Sequence, residues 1–508
     1  MERCERDGRL MWHNLYFNSI LYIVGYLFLL FGFRVSLHMR SVLAFFGGIA
    51  LWGILATFLL IVSFPMNRVN MLLACALVIV VAGFFRRRQG LLLEKTIIRE
   101  VTCFLVYFCL FILVNIVVLR FGYMTVTPDS ATFLGVGSIL GKSGQLPPPG
   151  MPGDVFLSLM EMCIGFLTLV IAGGYLFGVK FYNSVFPVSA FYFLPTFVLL
   201  FFFASEGLNL KRGIRLLLGG CGALMIVSVP AYWYHAYYVH QNLLTAIYYT
   251  IGILSVFIYR NQRERQWLAL AAISLGVTAL LRSEMLAFSV IPIVMLMSSP
   301  DLKRKDYGMF LFIFFCTFLP MQLLRSYYLG LGRHAHEWGL IQLSISFAYL
   351  LSYLIIHFDI SKEKIALIAP NILICALIIC ILARLYYYHD ETMKSIAGFL
   401  EITSISKRSR GGWGFIWLAI GSIIVVDVIV IGVQKALLFW RYILIMFFCM
   451  FILLFSLAGL FPPGRQVVFT GGDRILLHIM PIGVCYMFFL LAYVIPGLSW
   501  GKRQTLCN

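Results

Sequence analysis

Three short polar clusters interrupt an otherwise apolar chain, and each holds residue types able to carry group-transfer chemistry. The first is Thr127-Pro128-Asp129-Ser130. Pro128 disfavours helix at Thr127, so a new helix is expected over Ala131 to Leu140 with Asp129 at its head. A carboxylate there has two uses. It can accept the first backbone N–H groups as a cap, worth about 1 kcal/mol, or it can take a proton from an attacking hydroxyl.

The second cluster is Arg282-Ser283-Glu284, squeezed between apolar runs at 267–281 and 285–299. So short a join makes the tip of a helical hairpin. Arg282 and Glu284 either neutralise one another or form a phosphate site, with the guanidinium binding two oxygens while Glu284 orients it. The third cluster, Gly471-Gly472-Asp473-Arg474, heads the last apolar run. Asp473 can cap that helix while Arg474 snorkels, or Arg474 can bring a second cation to the same phosphate. Arg333, His334 and His336, followed by Glu337, have a spacing that can bind a metal but that reads more simply as a polar surface loop. The run from Tyr232 to His240 reads as an interfacial aromatic belt, with a sugar-stacking wall as the functional alternative.

These clusters need a scaffold, and composition names it. Of 508 residues, 61% are hydrophobic and 12% charged, whereas a soluble domain carries about 25% charged residues. Apolar runs able to cross a bilayer, about 20 residues each, are expected at 15–33, 41–63, 71–85, 100–120, 186–205, 213–230, 242–259, 267–281, 285–299, 308–324, 339–356, 366–383, 414–433, 436–458 and 476–496. The expected fold is therefore all-α, a polytopic transmembrane bundle of about 13–15 crossings. The excess of 39 Lys+Arg over 21 Asp+Glu, a net charge of +18, is the signature of cytoplasmic loops rather than of nucleic-acid binding. The twelve cysteines include no Cys-x-x-Cys pair and point to neither a disulfide framework nor a metal site.

Basic clusters at 86–99, 211–215, 260–265, 303–305 and 502–503 are expected on the cytoplasmic side. All fall there together only if the run 155–179 does not cross, so it is expected to be an interfacial or re-entrant helix. The large loop 121–185 then lies outside. Three parts follow: N-terminal transmembrane helices at 1–99, a core at 100–300 carrying that loop, and C-terminal helices at 301–508. Charged groups near a membrane core cost about 2.5–3.5 kcal/mol each, which is why the three clusters stand out.

Taken together the residues resemble the GT-C-type integral-membrane glycosyltransferases, which use polyprenyl-phosphate sugars. The resemblance covers residues 105–300 and, more weakly, 465–496. It is carried by Pro128-Asp129-Ser130, by the small and proline residues Pro147-Pro148-Pro149-Gly150-Met151-Pro152, by Leu176-Phe177-Gly178, by the helix Ser274 to Glu284, and by Gly472 to Pro481. Ser283 replaces the family's usual proline, and about three crossings precede the helix that feeds the Asp129 loop.

The resemblance implies a GT-C-type bundle whose external loop contains interfacial helices. It makes Asp129 catalytic, gives Arg282 and Arg474 the donor phosphate, and leaves Glu284 and Asp473 in support. It implies a polyprenyl-phosphate sugar donor, a glycan, lipid or protein acceptor, and no cofactor. A divalent metal would need a second acid beside Asp129, and Asp154 and Glu161 are distant in sequence. The implied setting is a bacterial cytoplasmic membrane with the site facing outward among membrane lipids. An O-antigen polymerase or ligase would shift the weight to Arg325, Arg333 and His336. A lipid-linked-glycan flippase would need charges deep in several helices, of which Asp427 is the clearest.

Overall fold

The computed structural model describes residues 2–33, 35–88, 97–121, 128–146, 165–180, 182–205, 210–282, 285–297, 299, 302–329, 343–354, 379, 382–383, 385–403, 412–426 and 464–494. Among the described residues every regular element is helical. In chain order they are α1 (Glu2–Gly32), α2 (Leu37–Ile61), α3 (Arg68–Arg88), α4 (Ile97–Phe121), α5 (Pro128–Ser143) and α6 (Phe166–Leu176). Next come α7 (Val185–Ala204), α8 (Arg212–Ser228), α9 (Pro230–Ala236), α10 (Gln241–Gln262), α11 (Arg265–Leu281) and α12 (Met285–Met297). The last are α13 (Arg304–Leu329), α14 (Leu343–Leu354), α15 (His389–Thr403), α16 (Ile416–Val426) and α17 (Gly464–Val494).

Six of these helices are long and apolar enough to cross a bilayer, or seven if α8 and α9, bent by 72°, form one span. The protein is a multi-pass helical membrane bundle. Shorter apolar segments at Arg68–Phe84, Arg265–Leu281, Met285–Met297, Leu343–Leu354 and Leu476–Ala492 coincide with further expected crossings. The expected crossings at 366–383 and 436–458 fall largely or wholly outside the described residues, as does Asp427.

Contacts sort the bundle into two ends. At one end Arg40 pairs with Glu100 at 3.0 Å, joining the starts of α2 and α4. Gln262 donates to the Ala204 carbonyl at 3.1 Å, joining the ends of α10 and α7. Arg263 donates to Ser299 at 2.5 Å, and Arg265 pairs with Asp306 at 2.6 Å. The Asp306 carboxylate also accepts the Tyr259 hydroxyl at 3.1 Å. Basic clusters distant in sequence therefore gather at one end, as the parity of crossings requires.

At the opposite end Met66 donates its backbone N–H to Gly144 at 2.7 Å, Arg68 bonds the Leu176 carbonyl, and Ala231 donates to Gly412 at 2.9 Å. The hairpin α11–α12 runs from the basic end to Arg282 and returns to Ser299, so its tip lies at the far end.

Of the run 155–179, residues 165–179 are described, and their helix does not lie on the surface. α6 has 11 residues, about 16 Å at 1.5 Å per residue, too short for a hydrocarbon core. Its first ring, Phe166, meets Tyr248 seven residues into α10 (centroids 6.3 Å apart), and its end lies beside Arg68. It is almost wholly buried, so this stretch lies inside the bundle and not along an interface. α5 packs along it. A Cβ at Gly137 or Gly141 would strike Ile171 or Tyr175, so these glycines set the close α5–α6 approach. α5 itself begins at Pro128 and ends at Ser143, three residues beyond the expected helix at either end. Proline suits the first helical position because its missing N–H is not needed there.

A buried amide network ties the first helix to the rest. Asn18 donates to Asn115 at 2.6 Å and to Ser184 at 3.0 Å, and accepts the Tyr182 hydroxyl at 2.7 Å. Ser184 in turn donates to Asn14 at 3.1 Å. Each amide is satisfied by a partner on another segment, which is what hydrocarbon surroundings demand. Replacing Asn18 with Leu takes this partner from the Asn115 carbonyl oxygen and the Tyr182 hydroxyl, at about 1–3 kcal/mol per unsatisfied buried group. The expected outcome is a lower melting temperature of the purified protein in detergent. An unchanged melting temperature would show that the network bears no stability.

Candidate functional site

The far end collects polar side chains that the apolar interior does not explain. α11 stops at Leu281 because the next residue turns extended: Arg282 has φ −140° and ψ 119° while its N–H still reaches the Thr278 carbonyl at 3.0 Å. That turn directs the partly buried guanidinium to the side chain of Asn242, in the first turn of α10, which accepts from Nη1. Asn242 is fully buried, and its Nδ2 hydrogen-bonds to none of the described residues.

Two histidines flank the junction of α9 and α10. His240, the residue preceding α10, stacks on Tyr238 with centroids 5.3 Å apart and rings 11° from parallel. It also meets Phe133 of α5 edge-on at 5.5 Å. His235 closes the last turn of α9 and is buried. α9 is held by Tyr232, whose hydroxyl donates to the Ala190 carbonyl at 2.8 Å, inside a π-helical turn over Ser189–Phe193. The run 232–240 is therefore not a plain surface belt: Tyr232, His235 and Tyr238 are inside, and Trp233 is exposed.

A third histidine arrives from α17. His478 is 1% exposed, its Nε2 bonds none of the described residues, and it lies within electrostatic range of Arg282, His235 and His240. One guanidinium, three imidazoles and an amide from α9, α10, α11 and α17 thus share one region. Arg282 supplies the fixed positive charge of the group, with N–H donors beside it in a water-poor setting. A charge contact is stronger there than in bulk water, a combination suited to an anion. No group of three His, Cys, Asp or Glu among the described residues has a metal-holding arrangement.

The sequence-selected residues relate to this region as follows. Arg282 is inside it. Asp129 is the second residue of α5, one helical turn before Phe133, the ring that meets His240. It lies within the first turn rather than at a cap position, where a negative charge suits the helix dipole. Arg474 and Asp473 lie in α17, with Arg474 one turn before His478. The side chains of Asp129, Asp473 and Arg474 lie outside the described residues, as do Glu284, Arg333, His334 and His336 entirely.

Asn242, His235, His240 and His478 were not singled out as site residues by the sequence reading. Their signal was present as three histidines in otherwise apolar or aromatic surroundings, but each alone reads as an interfacial or helix residue. Comparison of the chain with protein-family models, with curated proteins and with solved structures returns no match.

A buried ring nitrogen without a partner burdens the fold unless something else uses it. His478→Leu, similar in volume, is therefore expected to leave the melting temperature in detergent unchanged or raised, because a polar atom left unsatisfied is removed. A drop of many degrees would mean that the imidazole has a structural partner.

Proposed function

We propose that the protein is an inverting glycosyltransferase of GT-C type. It moves a sugar from a polyprenyl-phosphate donor to a glycan, lipid or protein acceptor at the far, non-cytoplasmic end of the bundle. The observation that carries the reading is the Arg282 guanidinium, bonded to Asn242 and grouped with three histidines at the end opposite the basic clusters. That end faces outward by the positive-inside rule, with a bacterial cytoplasmic membrane as the proposed setting. The first turn of α5, which carries Asp129, borders the same group through Phe133 and His240.

In this reading the acceptor hydroxyl oxygen attacks the anomeric carbon from the side opposite the phosphate. The new C–O bond forms as the bond to the phosphate oxygen breaks, and the hydroxyl proton passes to the Asp129 carboxylate. The leaving polyprenyl phosphate keeps the bonding electrons. Its growing charge is met by Arg282 and Arg474, with the Asn242 amide and His478 as nearby donors. A single displacement inverts the anomeric centre. Stabilising charge that appears only as the bond breaks is what accelerates such a step. The buried α6, packed beside α5 and ending by Arg68 at this same end, supports the reading by enclosing the region in protein.

Purified protein incubated with a panel of polyprenyl-phosphate sugars is expected to release polyprenyl phosphate. Asp129→Asn should lower turnover by about 10²–10⁴-fold, the usual contribution of a general base, at unchanged yield and membrane insertion. Arg282→Gln should lower it by about 10²–10³-fold, as loss of one charge-stabilising donor does. Activity within twofold of wild type for Asp129→Asn would remove that residue from the role. No release from any donor, together with movement of glycan lipids across vesicles, would replace the transferase with a flippase.

A further inference from the structure

The basic end holds a second group of cations that neither the fold nor the proposed reaction uses. His38, in the first turn of α2, reaches toward α4, with Nδ1 at 3.6 Å from Cys103 Sγ and 3.4 Å from the Tyr107 hydroxyl. It lies within electrostatic range of Arg99 in the first turn of α4 and of Arg212, the first residue of α8. Arg212 and Arg215 both face the ring of Phe203, at 4.4 and 6.0 Å from its centroid. Arg215 keeps Nε and Nη1 buried, and neither bonds any of the described residues.

The neighbouring acid does not cancel this charge, because Glu100, next to Arg99 on α4, is taken by Arg40 at 3.0 Å. The surroundings are those of a lipid. α4 and α8 flank α7, and their outward residues are bare hydrocarbon: Ile98 is 84% exposed, Leu217 65% and Val101 49%. The amino ends of α2, α4 and α8 converge here, adding partial positive charge from three helix dipoles.

We propose that the cation cluster at the amino ends of α4 and α8, with the apolar surface beside it, is a binding site for one anionic phospholipid of the cytoplasmic leaflet. Arg99, Arg212 and Arg215 hold its phosphate, and the exposed apolar faces of α4 and α8 receive its acyl chains. The occupant is a lipid rather than free phosphate because the cations stand directly above exposed hydrocarbon. It is an anionic lipid because the ammonium of a zwitterionic headgroup would sit among like charges. The site lies at the end opposite Arg282 and does not depend on the proposed reaction.

The test uses the full-length protein in detergent, with lipid retention read by native mass spectrometry. The probes are phosphatidylglycerol, phosphatidylcholine and inorganic phosphate. Wild type is expected to retain phosphatidylglycerol at least about tenfold better than phosphatidylcholine. Each cation removed should cost about fivefold, the effect of one basic residue at an anionic surface. R212Q/R215Q should therefore lose most of the preference, while R212K/R215K should keep it. R99Q carries the same expectation if the double variant does not fold, as judged by its elution profile without lipid. Equal retention of the two lipids, full retention by R212Q/R215Q or by R99Q, or displacement of phosphatidylglycerol by inorganic phosphate would overturn the assignment.

Discussion

Hydrocarbon offers no hydrogen-bond partner, and the whole molecule is arranged around that deficit. Backbone groups escape it by forming helices. Polar side chains escape it by pairing inside the bundle, as in the Asn18–Asn115–Ser184–Tyr182 network, or by collecting at the two ends. A buried polar atom with no partner is costly to keep even there. Nδ2 of Asn242 and Nε2 of His478, near the Arg282 guanidinium at the far end, are buried and bond none of the described residues.

The two ends differ in kind. At the basic end three cations hold helices together: Arg40 with Glu100, Arg265 with Asp306, Arg263 with Ser299. These contacts hold helix starts and helix ends in register, and they fix how α2, α4, α7, α10 and α13 pass through the membrane. At the far end a short buried helix, a bent one and an irregular hairpin tip leave room for side chains to converge. Irregular backbone at membrane depth is tolerated where protein surrounds it, and α6 meets that condition because it is buried along nearly its whole length.

Much of the scaffold was legible in the sequence, because span length is dictated by bilayer thickness and charge sidedness by insertion. The runs 41–63, 100–120, 186–205 and 242–259 become helices whose ends differ from those bounds by four residues or fewer. Parity led to an interfacial or re-entrant helix within 155–179, but not to the burial of the helix over Phe166–Leu176. The site was legible only in part. Arg282 announced itself as a charge between two apolar runs. The histidines did not, since His235 and His240 sit among aromatic residues that fit a membrane interface equally well. His478 becomes notable only once α17 is seen to pass Arg282. Convergence of residues so far apart in the chain, Arg282 with His478, is tertiary information, and no local pattern encodes it.

The central claim is that Asp129, Arg282 and Arg474 serve one phosphate-bearing ligand. It is tested most directly by an experimental structure of the protein with a polyprenyl-phosphate sugar bound. The account predicts phosphate density within hydrogen-bond distance of the Arg282 and Arg474 guanidinium groups, beside Asn242 and His478, with the Asp129 carboxylate facing the open side of the anomeric carbon. Phosphate held elsewhere, by Arg325 or Arg333 for instance, or Asp129 turned away from the sugar, would contradict it.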